Sequence, residues 1–378
     1  MRVAFPYMGD IYIVLTPMLE TLGAEVIVPP EPNAETLTLG AQLAPETICL
    51  PFKLTLGNMV EALKLGADTL IYVTGSWSCR FGYYGRLQAK ILYDLGYKFQ
   101  FIELRRDRIF DIIKRVILLN NGNFSRAIVK TLKAFRLGYL KAKTLENAYL
   151  LANRTLPYAL KPKECQKLFK EVLKEVHQTN TPRELNKLLC SLPGRFEKID
   201  CGRTNPKVGQ TSEVLRVKLV GESFCVIEPF VNFEITQRLG EMGVIVDPFL
   251  TAPRWVGFHG FRLNKKEVIK AQKAARKYWR YCVGGEDANS LGHLILAARA
   301  GYDGVIHLHP FACMPGTVVQ PVLIKASQEY DIPLLSLSLD EHTSEAGFLT
   351  RLEAFVALLK RRRRSHKNSL NPFAKVTL

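Results

Sequence analysis

The sequence predicts an α/β protein made of two similar doubly wound (Rossmann/flavodoxin-like) parallel-sheet halves with a helical insertion between them. Three observations predict it. Short apolar runs ending in Gly or Pro alternate with segments of helical period, one such unit recurs late in the chain, and the stretch between the copies has a helical pattern throughout.

Taken in order, "RVAFPYMG" reads as a buried strand, "YIVLTPMLETLG" as a helix ending in Gly, and "AEVIVPP" as a strand ending in Pro. "GNMVEALKLGADTLIYVTGSWSC" (57–79) then supplies a helix, a β-rich run and a glycine-rich loop. Residues 106–212 contain "RIFDIIKRVILL", "FSRAIVKTLKAFRLGYLKAKTLENAYLLAN" and "ECQKLFKEVLKEVHQ", whose apolar positions recur every three and four residues. The opening is echoed by "SFCVIEPF" as strand, "FEITQRLGEMG" as helix and "VIVDPF" as strand. "GHLILAARAGYDGVIHLHPFAC" (292–313) then matches 57–79. Gly57 and Gly66 are nine apart, as are Gly292 and Gly301; Asp68 and Asp303 follow two residues later, and each copy ends in a loop cysteine, Cys79 or Cys313. "DIPLLSLSLDEHTSEAGFLTRLEAFVALLK" closes with a strand, a polar loop and a helix. The expected organisation is an N-terminal α/β half (1–105), a helical insertion (106–212), a C-terminal α/β half (213–360) and a basic tail (361–378).

A chain of 378 residues, 47% hydrophobic and 23% charged, is expected to bury a real core. No apolar stretch approaches the ~18 residues of a membrane span, and "MRVAFPYMGD" has no signal-peptide apolar region, so a cytoplasmic protein without membrane partners is expected. In that compartment the eight cysteines are metal ligands, nucleophiles or core fillers, not disulfides. The net charge of +17 predicts attraction to something acidic, although charge alone does not choose among nucleic acid, membrane surface, anionic substrate and protein. The closing "KRRRRSHKNSLNPFAK" is read as a solvated tail, and the basic residues of 264–282 as outer helix faces.

Cys165 shares a helical face with Phe169, Val172 and Val176, Cys190 lies beside leucines, and Cys225 falls in a β-run; all three read as core fillers. Cys201 and Cys282 are less clear, with a structural role favoured. Cys49, Cys79 and Cys313 remain, each read as lying where a strand ends and a Gly- or Pro-marked turn leads into a helix, the place where α/β folds put chemistry. A helix N-terminus favours a thiolate there. Cys79 and Cys313 are repeat twins facing one interdomain cleft, whereas the counterpart of Cys49 is Gly284. Three thiolates on a tetra-iron cluster leave one iron without a protein sulfur. Structural zinc usually uses paired ligands such as Cys-x2-Cys, which are absent, so iron–sulfur is preferred over zinc. Glycines 75, 82 and 85 are expected to let backbone approach the cluster, Arg80 and Lys53 to offset its charge, and Trp77, Tyr83, Tyr84 and Phe311 to shield it. For each of these a purely structural role is the competing reading. His307 and His309 point to one face of a strand and are read as structural before ligand or proton donor; His293 and His342 are weaker candidates.

There is no P-loop, dinucleotide fingerprint or Gly-x-Ser-x-Gly elbow. As a set, "CLPFK", "CRFGYYG", "EPFVNFEI", "HPFACMPGT" and "DEHTSEAGFLTRLEAF" give a sequence that resembles the acyl-CoA dehydratase activase-related family. That family is similar to the cluster-bearing subunits of 2-hydroxyacyl-CoA dehydratases and benzoyl-CoA reductases and to double-cubane cluster proteins. The resemblance covers the two halves and almost none of the helical middle. It implies an oxygen-sensitive [4Fe-4S] or double-cubane cluster held by Cys49, Cys79 and Cys313. It also implies a separate ATP-hydrolysing activator of the sugar kinase/Hsp70/actin superfamily, supplied in trans, which delivers a low-potential electron. In related dehydratases that electron drives loss of water from a 2-hydroxyacyl-CoA; in related reductases it goes to other small molecules. The leading expectation is therefore an enzyme component reducing a small molecule or dehydrating an acyl-CoA. The alternatives are a cluster carrier without turnover and a basic nucleic-acid-binding protein, the last without any recognition motif. Assembly as a homodimer is left open.

Overall fold

The computed structural model describes residues 1–75, 79–105, 109–202, 214–261 and 265–370. In the first part lie β1 (Arg2–Ala4), α1 (Ile11–Leu22), β2 (Glu25–Val26), α2 (Ala34–Leu43), α3 (Leu50–Lys64), β3 (Thr69–Val73), α4 (Phe81–Asp94) and β4 (Gln100–Leu104). Four helices follow: α5 (Ile109–Leu119), α6 (Phe124–Thr155), α7 (Pro162–Gln178) and α8 (Pro182–Phe196). The rest holds β5 (Leu215–Gly221), short helices α9 (Ser223–Ile227) and α10 (Pro229–Asn232), then α11 (Ile235–Glu241), β6 (Val244–Pro248), α12 (Ala252–Phe261), α13 (Lys265–Ala275), α14 (Asp287–Arg299), β7 (Gly304–Pro310), α15 (Met314–Glu329), β8 (Leu334–Leu339) and α16 (Glu345–Leu370).

Two four-stranded, all-parallel sheets result, ordered β2-β1-β3-β4 and β6-β5-β7-β8, which is one topology used twice. The chain is an α/β protein with two doubly wound halves. Helices on both faces explain why β7 is buried along its whole length and why its run is nearly continuous in apolar residues. The repeated glycines have a matching role. A Cβ on Gly57 would lie 2.1 Å from the Thr36 carbonyl oxygen of α2, and one on Gly292 would lie 2.0 Å from the Ala271 carbonyl oxygen of α13. In each half, glycine lets two helices cross at backbone contact.

One expected strand is misplaced. "SFCVI" forms the short helix α9, and the strand is the preceding "LRVKLVG". Gly221 ends that strand at φ +140, pressed against the Leu308 carbonyl oxygen, and Glu222 then caps α9 by accepting a hydrogen bond from the Cys225 N–H at 2.9 Å. A short apolar run alone does not separate a buried strand from a buried helical turn. The helical middle packs as expected, with Lys141 fully buried and donating to the carbonyls of Val176 (2.7 Å) and His177 (2.8 Å) at the end of α7. At the C-terminus α16 runs through the arginine cluster to Leu370. Arg362 pairs with Asp331 and Arg363 with Asp303, so those two arginines lie against the body of the protein; residues 371–378 of the basic tail lie outside the described residues. The exposed lysines of α13 are on an outer face, as expected.

An apolar core crosses the seam, with Ile13 and Val14 of α1 joining Leu145 of α6 and Leu219 of β5, while the N-terminal sheet has clusters of its own around Leu70 and Ile71. Polar contacts cross the seam as well. The Gly9 N–H donates to Glu228 Oε2 at 2.7 Å in a buried setting, and the nearly buried Lys53 of α3 forms an ion pair with Glu341 in the loop after β8. Burial pushes Glu228 up to about 7 and Asp10, which accepts from Tyr149, up to about 6.

Gly292→Ala and Gly57→Ala each lower unfolding free energy by about 3 kcal/mol through overpacking against fixed backbone. Gly194→Ala, whose Cβ meets nothing within 4 Å, raises it by about 0.5–1 kcal/mol. Denaturant titration of the three variants checks both signs. Because Glu228 holds its proton more tightly in the folded state, its contribution is fully present below its ordinary pKa near 4.5 and is lost as pH climbs to about 7. The melting temperature of Glu228→Gln therefore rises relative to the unmodified protein by a few degrees, on the order expected for ~2–3 kcal/mol, between pH 4.5 and 7. A difference that is flat or falls with pH overturns the assignment.

Candidate functional site

Three cysteine loops meet at the seam. Cys79 follows β3 and precedes α4, while Cys313 follows β7 and is the N-cap of α15. Since β3 and β7 hold the same place in their sheets, the twin cysteines leave equivalent carboxyl ends. Cys49 is the N-cap of α3, yet it follows α2 and a turn, not a strand as expected. Cys49 and Cys313 are buried, and Cys79 is half-buried. The three lie within electrostatic reach: a charge on Cys79 acts on both Cys49 and Cys313, and one on Cys49 acts on Cys313.

Arg80 ties the loops together. Its Nη2 donates to the Ala312 carbonyl at 2.5 Å and its Nη1 to the Thr47 carbonyl at 3.5 Å, so a side chain beside Cys79 reaches the residue before Cys313 and the loop before Cys49. Ala312 is held at φ +59, a strained conformation for a residue with a Cβ. Lys53 takes no part in this, since Glu341 engages its ammonium.

The thiols are not poised as thiolates. Burial pushes Cys49 up to about 12, against the opposing effect of the Tyr84 hydroxyl 2.5 Å from its sulfur and of the Arg80 charge. Cys79 and Cys313 are raised as well, by burial first, with the Glu222 charge adding to it. The expectation that helix N-termini would favour thiolates is corrected: the loss of water around each sulfur outweighs the Tyr84 hydroxyl and Arg80 at Cys49, the Phe81 backbone hydrogen bond and Arg80 at Cys79, and the Gly316 backbone hydrogen bond at Cys313.

Of the glycines expected near the site, Gly82 donates its N–H to the Cys79 carbonyl at 3.2 Å and accepts at its own carbonyl from the Gly75 N–H, while Gly85 lies against Tyr72, where a Cβ would be 2.8 Å from that residue's own Cβ. Beside the cysteines are also Gly316, whose Cβ would lie 3.2 Å from Cys313 Sγ, and Gly285, whose Cβ would lie 3.9 Å from Cys79 Cβ. Of the expected shielding aromatics, Tyr83 is 60% and Phe311 67% exposed and neither covers the site; Tyr84 is buried against Cys49, and Trp77 lies outside the described residues.

Next to Cys79 and Cys313 is a cavity of about 420 Å3, within the range of small-ligand sites. Its walls include Phe81, Trp255, Glu222 and Glu286; Cys49 stands back from it. Glu286 accepts from Ser223 Oγ (3.0 Å) and Asn289 Nδ2 (2.6 Å), and burial raises the pKa of both glutamates. Among the described residues that line the cavity none is Lys or Arg.

Sequence reasoning missed Cys282 and the two glutamates. Cys225 is fully buried in the core as expected, but in α9 and not in a β-run, within reach of the charges of Cys313 and Cys49. Cys282 lines the cavity and donates to Asp287 Oδ1 at 2.9 Å; it lies two residues before Gly284, the repeat counterpart of Cys49, which was the available signal. Cys190 is exposed and not a core filler, because α8 turns Leu185, Leu192 and Phe196 inward. Cys165 is buried with Val172 and Val176 as expected, and Cys201 is half-exposed.

On β7 the rings of His307 and His309 stack at 4.9 Å on one face. His307 shares a hydrogen bond with Ser336 Oγ at 2.9 Å and burial pushes it down to about 3; His309 is lowered too. His293 packs on Phe249, and the His342 N–H donates to Asp340 in a tight turn. Among the described residues no three His, Cys, Asp or Glu side chains gather closely enough to hold a single metal ion, and no helix is long and apolar enough to cross a membrane. Compared with models of known protein families and with curated proteins, the chain matches none.

Alkylation of the reduced, metal-free protein, mapped by mass spectrometry, labels exposed Cys190 and Cys282 first, then Cys79 and Cys201, and leaves Cys49, Cys225 and Cys313 for last. Arg80→Ala speeds labelling of Cys313 and Cys49 while leaving Cys190 unchanged; equal rates for all sites would contradict the described burial.

Proposed function

We propose that Cys49, Cys79 and Cys313 hold an iron–sulfur cluster, and that the protein receives low-potential electrons from a separate ATP-hydrolysing activator to reduce a small molecule bound in the adjacent cavity. The observation that carries the reading is the convergence of three cysteine loops, two of them repeat twins, tied by Arg80. Gly285 and Gly316 form a cradle that side chains at those positions would fill, and one buried nitrogen, His309 Nε2, has no hydrogen-bond partner.

When bound, the cluster supplies one-electron transfer at low potential. The chain's own residues do the rest. Tyr84 orients Cys49, Arg80 positions Cys79 and Cys313 against each other, and Glu222 and Glu286 form the acidic wall beside the cavity. The net charge of +17 supports docking of an acidic activator.

Because all three thiols are raised, loading releases protons, and anaerobic reconstitution proceeds further at pH 9 than at pH 7. The loaded chain is brown, with about four irons, or about eight for a double cubane. Cys49→Ala, Cys79→Ala and Cys313→Ala each lose most of the iron and the EPR signal of the reduced state, while Cys225→Ala and Cys282→Ala keep both. A colourless protein that cannot be reconstituted refutes the reading.

A further inference from the structure

Three thiols leave a fourth coordination position that no cysteine of the proposed set supplies, and β7, the strand that leads to Cys313, carries a buried histidine. His309 is 3% exposed. Its Nδ1 lies 3.1 Å from the Pro310 carbonyl oxygen, and a carbonyl only accepts, so Nδ1 carries the ring proton and Nε2 presents a bare lone pair. That Nε2 is buried with no hydrogen-bond partner. An unsatisfied buried acceptor is costly, and a fold keeps one where something else completes it.

The surroundings narrow what that is. A Cβ on Gly316 would meet His309 Cγ at 3.1 Å and Cys313 Sγ at 3.2 Å, so the ring and the sulfur border the same small space, left open by a glycine. A ring N–H donated to a backbone carbonyl is the arrangement that fixes the tautomer of metal-ligating histidines. His307, two residues earlier, differs: its Nδ1 shares a hydrogen bond with Ser336 Oγ and the residue lines the cavity.

We infer that His309 Nε2 is the fourth protein ligand of the metal centre, an inference that rests on the cluster reading above. The site is then three thiolates and one imidazole. Replacing a thiolate by a neutral imidazole removes one negative charge from the ligand set and raises the reduction potential relative to an all-cysteine site.

The test is pulsed EPR on the reduced, anaerobically reconstituted full-length protein, prepared with natural and with 15N-labelled histidine. A nitrogen coupling that changes with histidine labelling is expected. It persists in His307→Asn and disappears in His309→Ala, which keeps its three cysteine-bound irons. His309→Cys, with the same iron content, shifts the midpoint potential negative. Iron and an EPR signal without any histidine nitrogen coupling, or a coupling that survives in His309→Ala, overturn the inference and leave the three-cysteine cluster standing. Failure to load iron at all overturns the cluster reading itself. Should His309→Ala fail to fold, labelled unmodified protein compared with His307→Asn still decides the matter.

Discussion

The arrangement of the site depends on one guanidinium. Arg80 follows Cys79 in sequence, and its two terminal nitrogens hold carbonyls in the loops that carry the other two cysteines. The side chain is exposed, so each hydrogen bond contributes modest free energy on its own. The contribution is geometric: a planar, always charged fork constrains three loops at once, including the strained Ala312, where a lysine would offer one flexible point of contact. The buried Lys53–Glu341 pair and the Gly9–Glu228 hydrogen bond hold the halves on either side of it, and the shared apolar core leaves the seam little freedom to open.

Desolvation is the cost of putting chemistry at such a seam. It raises the pKa of all three thiols and of Glu222, Glu286 and Glu228, and depresses His307 and His309. In the metal-free protein the region is therefore driven toward neutral side chains, although the chain as a whole carries +17. Groups in this condition favour a bound metal centre over bulk protons only when several ligands act together, and convergence of the loops supplies that condition.

Duplication explains part of this geometry and fails to explain the rest. Equivalent strands present Cys79 and Cys313, and equivalent glycines let α2 cross α3 and α13 cross α14. The symmetry breaks at Cys49. Its counterpart is Gly284, which lines the cavity, so one half supplies a thiol where the other supplies open space. A duplicated fold has thereby become a site with a closed side and a hollow side.

The sequence by itself determined the fold class, the repeat, the helical middle and the two twin cysteines, because period, glycine spacing and strand-end position are local or additive properties of the chain. It misplaced the strand before Cys225, since an apolar run of that length suits either conformation until Gly221 and Glu222 are seen ending one element and capping the next. For Lys53, Gly85, Tyr83 and Phe311 it left a site role and a structural role open; Lys53 is engaged by Glu341, Gly85 packs on Tyr72, and Tyr83 and Phe311 are exposed. Only the tertiary structure decided that burial would raise all three thiols, that Arg80 would join three loops, that Glu222, Glu286 and Cys282 would face one cavity, and that His309 would keep a bare buried nitrogen. Each of those depends on distance and water access across the seam, which residues far apart in sequence create together and no local pattern encodes.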